Sequence, residues 1–312
     1  MHAIEDRRDG TLYCCAATYA YGATVHRSPD GGRRWERALE VGLPPESGLA
    51  LERTWHLRPG PESRPGELWL GSQDGGRTFQ ALPAILFHPT RERWQPGAGG
   101  MCCHSIEIHP AHPDTLVIAI SAAGAFRSED GGDTWTPINR GVLADFFPDS
   151  YPEVGHCVHK LLMHRQRPER LWQQNHCGVY RSDDGGATWI RLDENGLPSR
   201  FGFPIVIHPR DPDTAYVIPE EADVNRVTAG GRLGVYRTRD AGASWQLVAE
   251  GLPAPAWTGV LREAAASDEL EPAGIYFGTQ SGSVYVSPDE GDTWIEAARQ
   301  LPPILSVEVT WA

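Results

Sequence analysis

Positive charge is scarce in this chain. Lysine and arginine together number 28 against 41 aspartates and glutamates over 312 residues, a formal net charge of -13. Such a surface has no basic field with which to neutralise phosphates, which argues against nucleic acid or an anionic membrane as the main partner. Long apolar runs are also missing. The opening Met1-His2-Ala3-Ile4-Glu5-Asp6-Arg7-Arg8-Asp9-Gly10 lacks the apolar stretch of a secretory signal, and nothing downstream approaches a membrane span, so a cytoplasmic location is expected. Cysteine is sparse and awkwardly placed. Residues 14, 15, 102, 103, 157 and 177 include two adjacent pairs, a poor pattern for a disulfide framework and a better one for free thiols or metal ligands.

What the chain does have is glycine (34), proline (26) and one short signature that returns six times. Ser28-Pro29-Asp30-Gly31-Gly32 ends in Trp35, and Asp74-Gly75-Gly76 is followed by Phe79. Asp130-Gly131-Gly132 is followed by Trp135, Asp184-Gly185-Gly186 by Trp189, Asp240-Ala241-Gly242 by Trp245 and Asp289-Glu290-Gly291 by Trp294. An aspartate can accept hydrogen bonds from amides ahead of it, the glycines permit positive φ, and the aromatic ring plugs the core behind the turn. Each copy therefore predicts a hairpin turn. The aspartates are 44, 56, 54, 56 and 49 residues apart, and the span from Asp289 round through the termini to Asp30 is 53. Each interval holds about four short strands. The expectation is an all-β fold: a single domain over 1–312 forming a six-bladed β-propeller of four-stranded blades. The first unit shows no alternating strand before Thr11, whereas 304–309 alternates well. The C-terminal strand is therefore expected to complete the N-terminal blade.

The repeats resemble the Asp box, or BNR, motif of sialidases, sortilin-type propellers and photosystem assembly propellers. Arg181-Ser182-Asp183-Asp184-Gly185-Gly186-Ala187-Thr188-Trp189 is the clearest copy, and the likeness extends over nearly the whole chain. The resemblance implies the propeller fold. It implies little about activity, since in that family the motif is a turn device shared by glycosidases, receptors and scaffolds. A sialidase would also need three arginines clamping a carboxylate, and Arg53, Arg58 and Arg262 lie near inner strands. Lys160 and Pro204, however, stand where further arginines would be expected, and the Arg-Ile-Pro sequence of that family is absent.

With the repeats as rulers, the innermost strands align on the histidines that end them: His109, His164 and His208, which are expected to be structural corners. Five residues earlier stand His104, His159 and Phe203; seven earlier stand Cys102, Cys157 and Phe201, with His156 next to Cys157. Propeller topology opens the loop into the inner strand and the loop between second and third strands on one face. His176 and Cys177 should therefore meet this group at the mouth of the central channel. Imidazole and thiolate together suit a divalent transition metal, zinc foremost, with copper, nickel and iron open. The expected metal ligands are His104, His156, His159, His176, Cys157 and Cys177. Glu107, Lys160 and Arg262 are the expected catalytic groups, and Asn175, Phe203 and Trp257 the expected substrate contacts.

Three functions are consistent with this pattern. One is a metal-dependent enzyme, a hydrolase or related, with a small-molecule ligand in the central channel. Another is a glycoside hydrolase of the sialidase-like type, and the last is a non-catalytic scaffold for a protein partner.

Overall fold

The computed structural model describes residues 2–309 apart from 19–21, 39–40, 49, 52–53, 71–78, 80 and 97–99. The Asp74 turn and Arg53 lie outside the described residues. The fold is an all-β propeller with almost no helix, and among the described residues no helix is long and apolar enough to cross a membrane.

Each sheet is an antiparallel meander in chain order. The first comprises Ala3–Asp6, Thr11–Thr18, Gly22–Ser28 and Glu36–Arg37. The third runs from Cys103–Ile108 to Thr136–Pro137, the fourth from Val158–His164 to Ile190–Arg191, and the sixth from Ala265–Ser267 to Ile295–Ala298. The fifth, Gly202–Ile207 to Gln246–Val248, carries an extra strand, Asn225–Thr228, paired with Ala215–Ala222. Five sheets therefore have four or more strands. In the second interval the described residues form one pair, Arg58–Pro59 with Leu68–Trp69.

Both faces of a blade pack against neighbours, which is why Leu116–Ile120 is buried at every position rather than at alternate ones. The apolar clusters lie between sheets. Trp172, Val179 and Leu192 pack against Ile205, Val217 and Trp245 across the fourth and fifth. Val206, Tyr216 and Ile218 pack against Phe277, Tyr285 and Trp294 across the fifth and sixth.

The five described aspartate turns share one geometry. A Ser or Thr hydroxyl donates to the aspartate Oδ1 at 2.7 to 2.9 Å and accepts from a glycine N–H, while Oδ1 also accepts from the backbone N–H four residues on. In three of them, at Trp189, Trp245 and Trp294, the indole then latches the preceding blade, while that of Trp135 bonds Gly132 O in its own turn. The Trp189 indole donates to Ile138 O at 2.7 Å and the Trp294 indole to Val248 O at 3.1 Å. Trp35 departs from the expected core role: its indole turns back to Gly32 O in its own turn, and the side chain is 45% exposed.

Ring closure also differs from expectation. Ala3–Asp6 supplies the inner strand of the first sheet, in register with Thr11–Cys14. Its inward residues Ile4 and Asp6 are buried, as is His2 just before it, and Gly10 N–H closes the hairpin on Asp6 O at 2.8 Å. Residues 304–309 instead run beside the sixth sheet. Ser306 bridges Glu263 in parallel, and Val307 N–H donates to Glu263 O at 2.8 Å. The place expected for the C-terminal strand was already filled by a strand whose charged residues conceal its alternation.

Candidate functional site

Hydrogen bonds assign the two faces of the ring. The segments entering the inner strands bond to the second-to-third connections, with Ser121 N–H to Cys102 O, His176 N–H to Cys157 O and Glu220 N–H to Phe201 O. On the opposite face the aspartate turns bond to the first hairpins, as in Gly131 N–H to Asp114 O and Gly185 N–H to Glu169 O. The His/Cys group and the repeated turns therefore lie on opposite faces, as the alignment predicts.

Inside the channel, charges are already paired. Lys160, the chain's one lysine, is buried and ion-paired with Glu263 of the sixth unit. Glu107 is buried 3.6 Å from Arg58; burial raises its pKa, opposed by the charges of Arg58 and Lys160. Beside Glu263 the rings of His2 and His56 stack at 4.4 Å, and burial drives the His56 pKa well down. Two of the corner histidines behave as turn acceptors: His109 Nδ1 takes the N–H groups of Ala111 and His112, and His208 Nδ1 those of Arg210 and Asp211.

The expected ligand set divides in two. Cys157, His159 and His176 come together, each offering one ligand atom within 4.8 Å of the others. The remaining three stand apart from that group. His104 Nε2 donates to Val158 O at 3.0 Å, and its ring meets Trp55 edge-on. His156 Nε2 donates to Pro152 O at 2.7 Å. Cys177 is buried with its thiol on Asp145, and burial pushes that thiol up to about 12. These contacts set the three side chains against Trp55 and Val158, Pro152 and Asp145, and their ligand atoms do not join those of Cys157, His159 and His176.

Phe203 forms the floor of the mouth. His159 stacks on it at 4.6 Å, while Arg262 and Arg226 lie over its ring at 4.7 and 5.4 Å. Arg262 also sits 5.8 Å from the Trp55 ring. Asn175 faces inward instead: its Oδ1 accepts from Cys177 N–H and its amide reaches Gln173, so it shapes the turn rather than meeting a ligand. Trp257 is 62% exposed. Its ring lies flat on Gly231, where any Cβ would come within 2.4 Å of the indole; glycine at that position makes the platform fit.

Glu220 was not among the expected residues. It lies on Ala215–Ala222 where that strand pairs with the extra strand Asn225–Thr228, and it is 1% exposed. Its Oε2 has no hydrogen-bond partner. Burial pushes its pKa up to about 7 against the pull of Arg226 and Arg262. Residues 256–259 run alongside: Ala256 N–H donates to Gly231 O and Thr228 N–H to Thr258 O, which brings Trp257 and Glu220 into one small assembly. The signal in the sequence was the length of the second-to-third connection, which in this unit extends through Asn225–Thr228 and in the fourth is a two-residue turn.

No family model matches the sequence. Among curated proteins, the chain is 26% identical over 174 residues to the probable oligoxyloglucan-reducing end-specific xyloglucanase of Neosartorya fischeri, covering 54% of this chain and 19% of that protein. It is 26% identical over 280 residues to a xyloglucanase of a Paenibacillus species, covering 75% and 25%. The chain thus spans about a fifth to a quarter of the length of these relatives. Among solved structures it is similar to an ancestral GH74 enzyme, with TM-score 0.62, 16% identity and coverage of 95% of this chain and 38% of that one. It is also similar to the extracellular domain of a protein from B. thetaiotaomicron described as a one-component system, with TM-score 0.54, 13% identity and coverage of 95% and 36%. At these identities the solved structures attest the fold alone, and the curated relatives carry the names of xyloglucanases.

Proposed function

We propose that the protein is a glycoside-hydrolase-type propeller that binds an oligosaccharide across the channel mouth, where Glu220 gives its proton to the glycosidic oxygen as that C–O bond breaks and water adds to the anomeric carbon. The observation that carries this reading is Glu220 itself: a buried carboxyl with a pKa near 7, one unpartnered oxygen and an exposed tryptophan platform alongside. Glycosidic cleavage needs a carboxylic acid that keeps its proton near neutrality, and desolvation is the means by which a protein provides one. Sugars stack their apolar faces on aromatic rings, the role assigned to Trp257. The xyloglucan-degrading relatives favour a β-glucan chain as the substrate class. In this reading the oligosaccharide replaces the metal-activated small molecule as the ligand of the mouth, and Glu220 replaces Glu107 and Lys160, whose charges are already matched in the channel.

The same reading takes the ring as six-bladed and of the Asp-box type. In its support, Leu57, Leu68 and Phe79 of the second interval pack into one apolar cluster with Tyr13 and Val25 of the first sheet, as a blade in that place would.

Reducing-sugar release from xyloglucan oligosaccharides tests the proposal. Glu220→Gln should abolish release while leaving oligosaccharide binding by calorimetry intact. Trp257→Ala should weaken that binding by about fivefold, the scale of one lost aromatic contact of roughly 1 kcal/mol. Full turnover by the Glu220→Gln variant would overturn the assignment of the acid.

A further inference from the structure

The trio Cys157, His159 and His176 has no part in the proposed hydrolysis, yet its polar contacts leave one ring nitrogen of each histidine free. His159 Nδ1 donates to Gly202 O at 2.6 Å, which leaves Nε2 as the ring's lone pair. His176 turns Nε2 toward the Asp223 carboxylate at 3.5 Å, which leaves Nδ1. Cys157 Sγ stands 3.3 Å from Ser121 Oγ, a hydroxyl that can donate to a thiolate. Imidazoles that bind metals are held in this manner, the far nitrogen on a backbone carbonyl or a carboxylate and the near one free. His104 and His156 are sorted in the same way but stand apart from any such group; the trio combines the sorting with ligand atoms that lie within 4.8 Å of one another.

We propose that Cys157, His159 and His176 bind one divalent transition metal ion, zinc foremost, through the thiolate and the ring nitrogens that these bonds leave free. Three protein ligands of mixed sulfur and nitrogen leave a fourth position open toward the mouth. Zinc bonds of about 2.0 to 2.3 Å space tetrahedral ligand atoms roughly 3.3 to 3.7 Å apart. The present separations, up to 4.8 Å, close by rotation of His176, whose side chain is 27% exposed.

A second trio, His2, His56 and Glu263, is equally compact and fails the same criterion. Leu57 N–H donates to His2 Nδ1 at 3.1 Å, which fixes the ring proton on Nε2, the nitrogen facing Glu263. Glu263 is already neutralised by Lys160. That trio is a buried ionic cluster, and the contrast shows that the sorting at Cys157, His159 and His176 does not follow from proximity alone.

The test is independent of hydrolysis. Protein stripped with EDTA is titrated with Co²⁺ and followed by the thiolate-to-cobalt charge-transfer band, then back-titrated with Zn²⁺. Wild type should take up one equivalent and show the band. Cys157→Ser should lose it with far-ultraviolet circular dichroism unchanged, and His176→Ala should weaken binding by at least about tenfold. Asp223→Asn should weaken it by about 10- to 100-fold, the usual effect of removing a histidine's outer partner. His112→Ala, on the opposite face, should change nothing. A folded wild type without the band, or Cys157→Ser and His176→Ala variants that bind cobalt as wild type does, would overturn the site.

Discussion

Glu220 ties stability to the proposed chemistry. Its pKa stands at about 7 in the folded protein against an ordinary 4.5, so between those values the native state holds a proton that the unfolded chain has released. Stability therefore falls as pH rises through that window, by a sum of about 3 kcal/mol once the group is ionised. Glu220→Gln removes the titration. The variant should match wild type in urea denaturation at about pH 4 and exceed it by up to about 3 kcal/mol at about pH 8. A gap that does not widen with pH would mean that Glu220 ionises freely. A stabilised, inactive variant is what a strained acid predicts, because the desolvation that keeps the proton on the carboxyl is the same desolvation that destabilises the charged fold. Lys160 presents the opposite case: buried like Glu220, its charge is met by a carboxylate partner.

At the scale of the element, the aspartate turn is the unit that the chain repeats, and its weight rests on the hydroxyl as much as on the aspartate. Ser182 is fully buried; its Oγ donates to Asp184 Oδ1 at 2.7 Å and accepts from the Gly186 N–H at 2.8 Å. Ser182→Ala would leave that buried amide without a partner, a cost of about 1 to 3 kcal/mol, and should lower the melting temperature by a few degrees in calorimetry. An unchanged melting temperature would mean that the turn is held by its glycines alone. These turns are legible in sequence because three residue types recur at fixed offsets and each answers one steric or hydrogen-bonding need. The site is less legible. The register of the inner strands brings Cys157, His159 and His176 to one face, but which nitrogen of a histidine stays free depends on Gly202 and Asp223, residues from the neighbouring unit. Ala3–Asp6 is masked by its charges, and Glu220 by a hairpin insertion that breaks the repeat.

For the whole molecule, the question is where the ring opens. Apolar clusters join the third sheet to the fourth, the fourth to the fifth and the fifth to the sixth, and tryptophan indoles bond across the same interfaces. Among the described residues no such cluster joins the sixth sheet to the first. That seam is held by the exposed Arg7–Glu269 pair at 2.9 Å, by His2 beside Glu263, and by the C-terminal segment laid along Glu263 through a parallel bridge. An exposed ion pair contributes about 0 to 1 kcal/mol and weakens further in salt, whereas each apolar interface buries several large side chains worth roughly 1.5 to 3 kcal/mol apiece. Local opening should therefore begin at the seam. Hydrogen exchange followed by mass spectrometry should find the amides of Ala3–Asp6 and Ala265–Ser267 exchanging well before those of Val158–His164, although all three are inner strands. Raising the salt concentration should widen the difference by loosening the seam alone. Equal protection in the three strands would mean that the ring is closed by something other than these charges, and would return the C-terminal segment to the closing role that its alternation suggests.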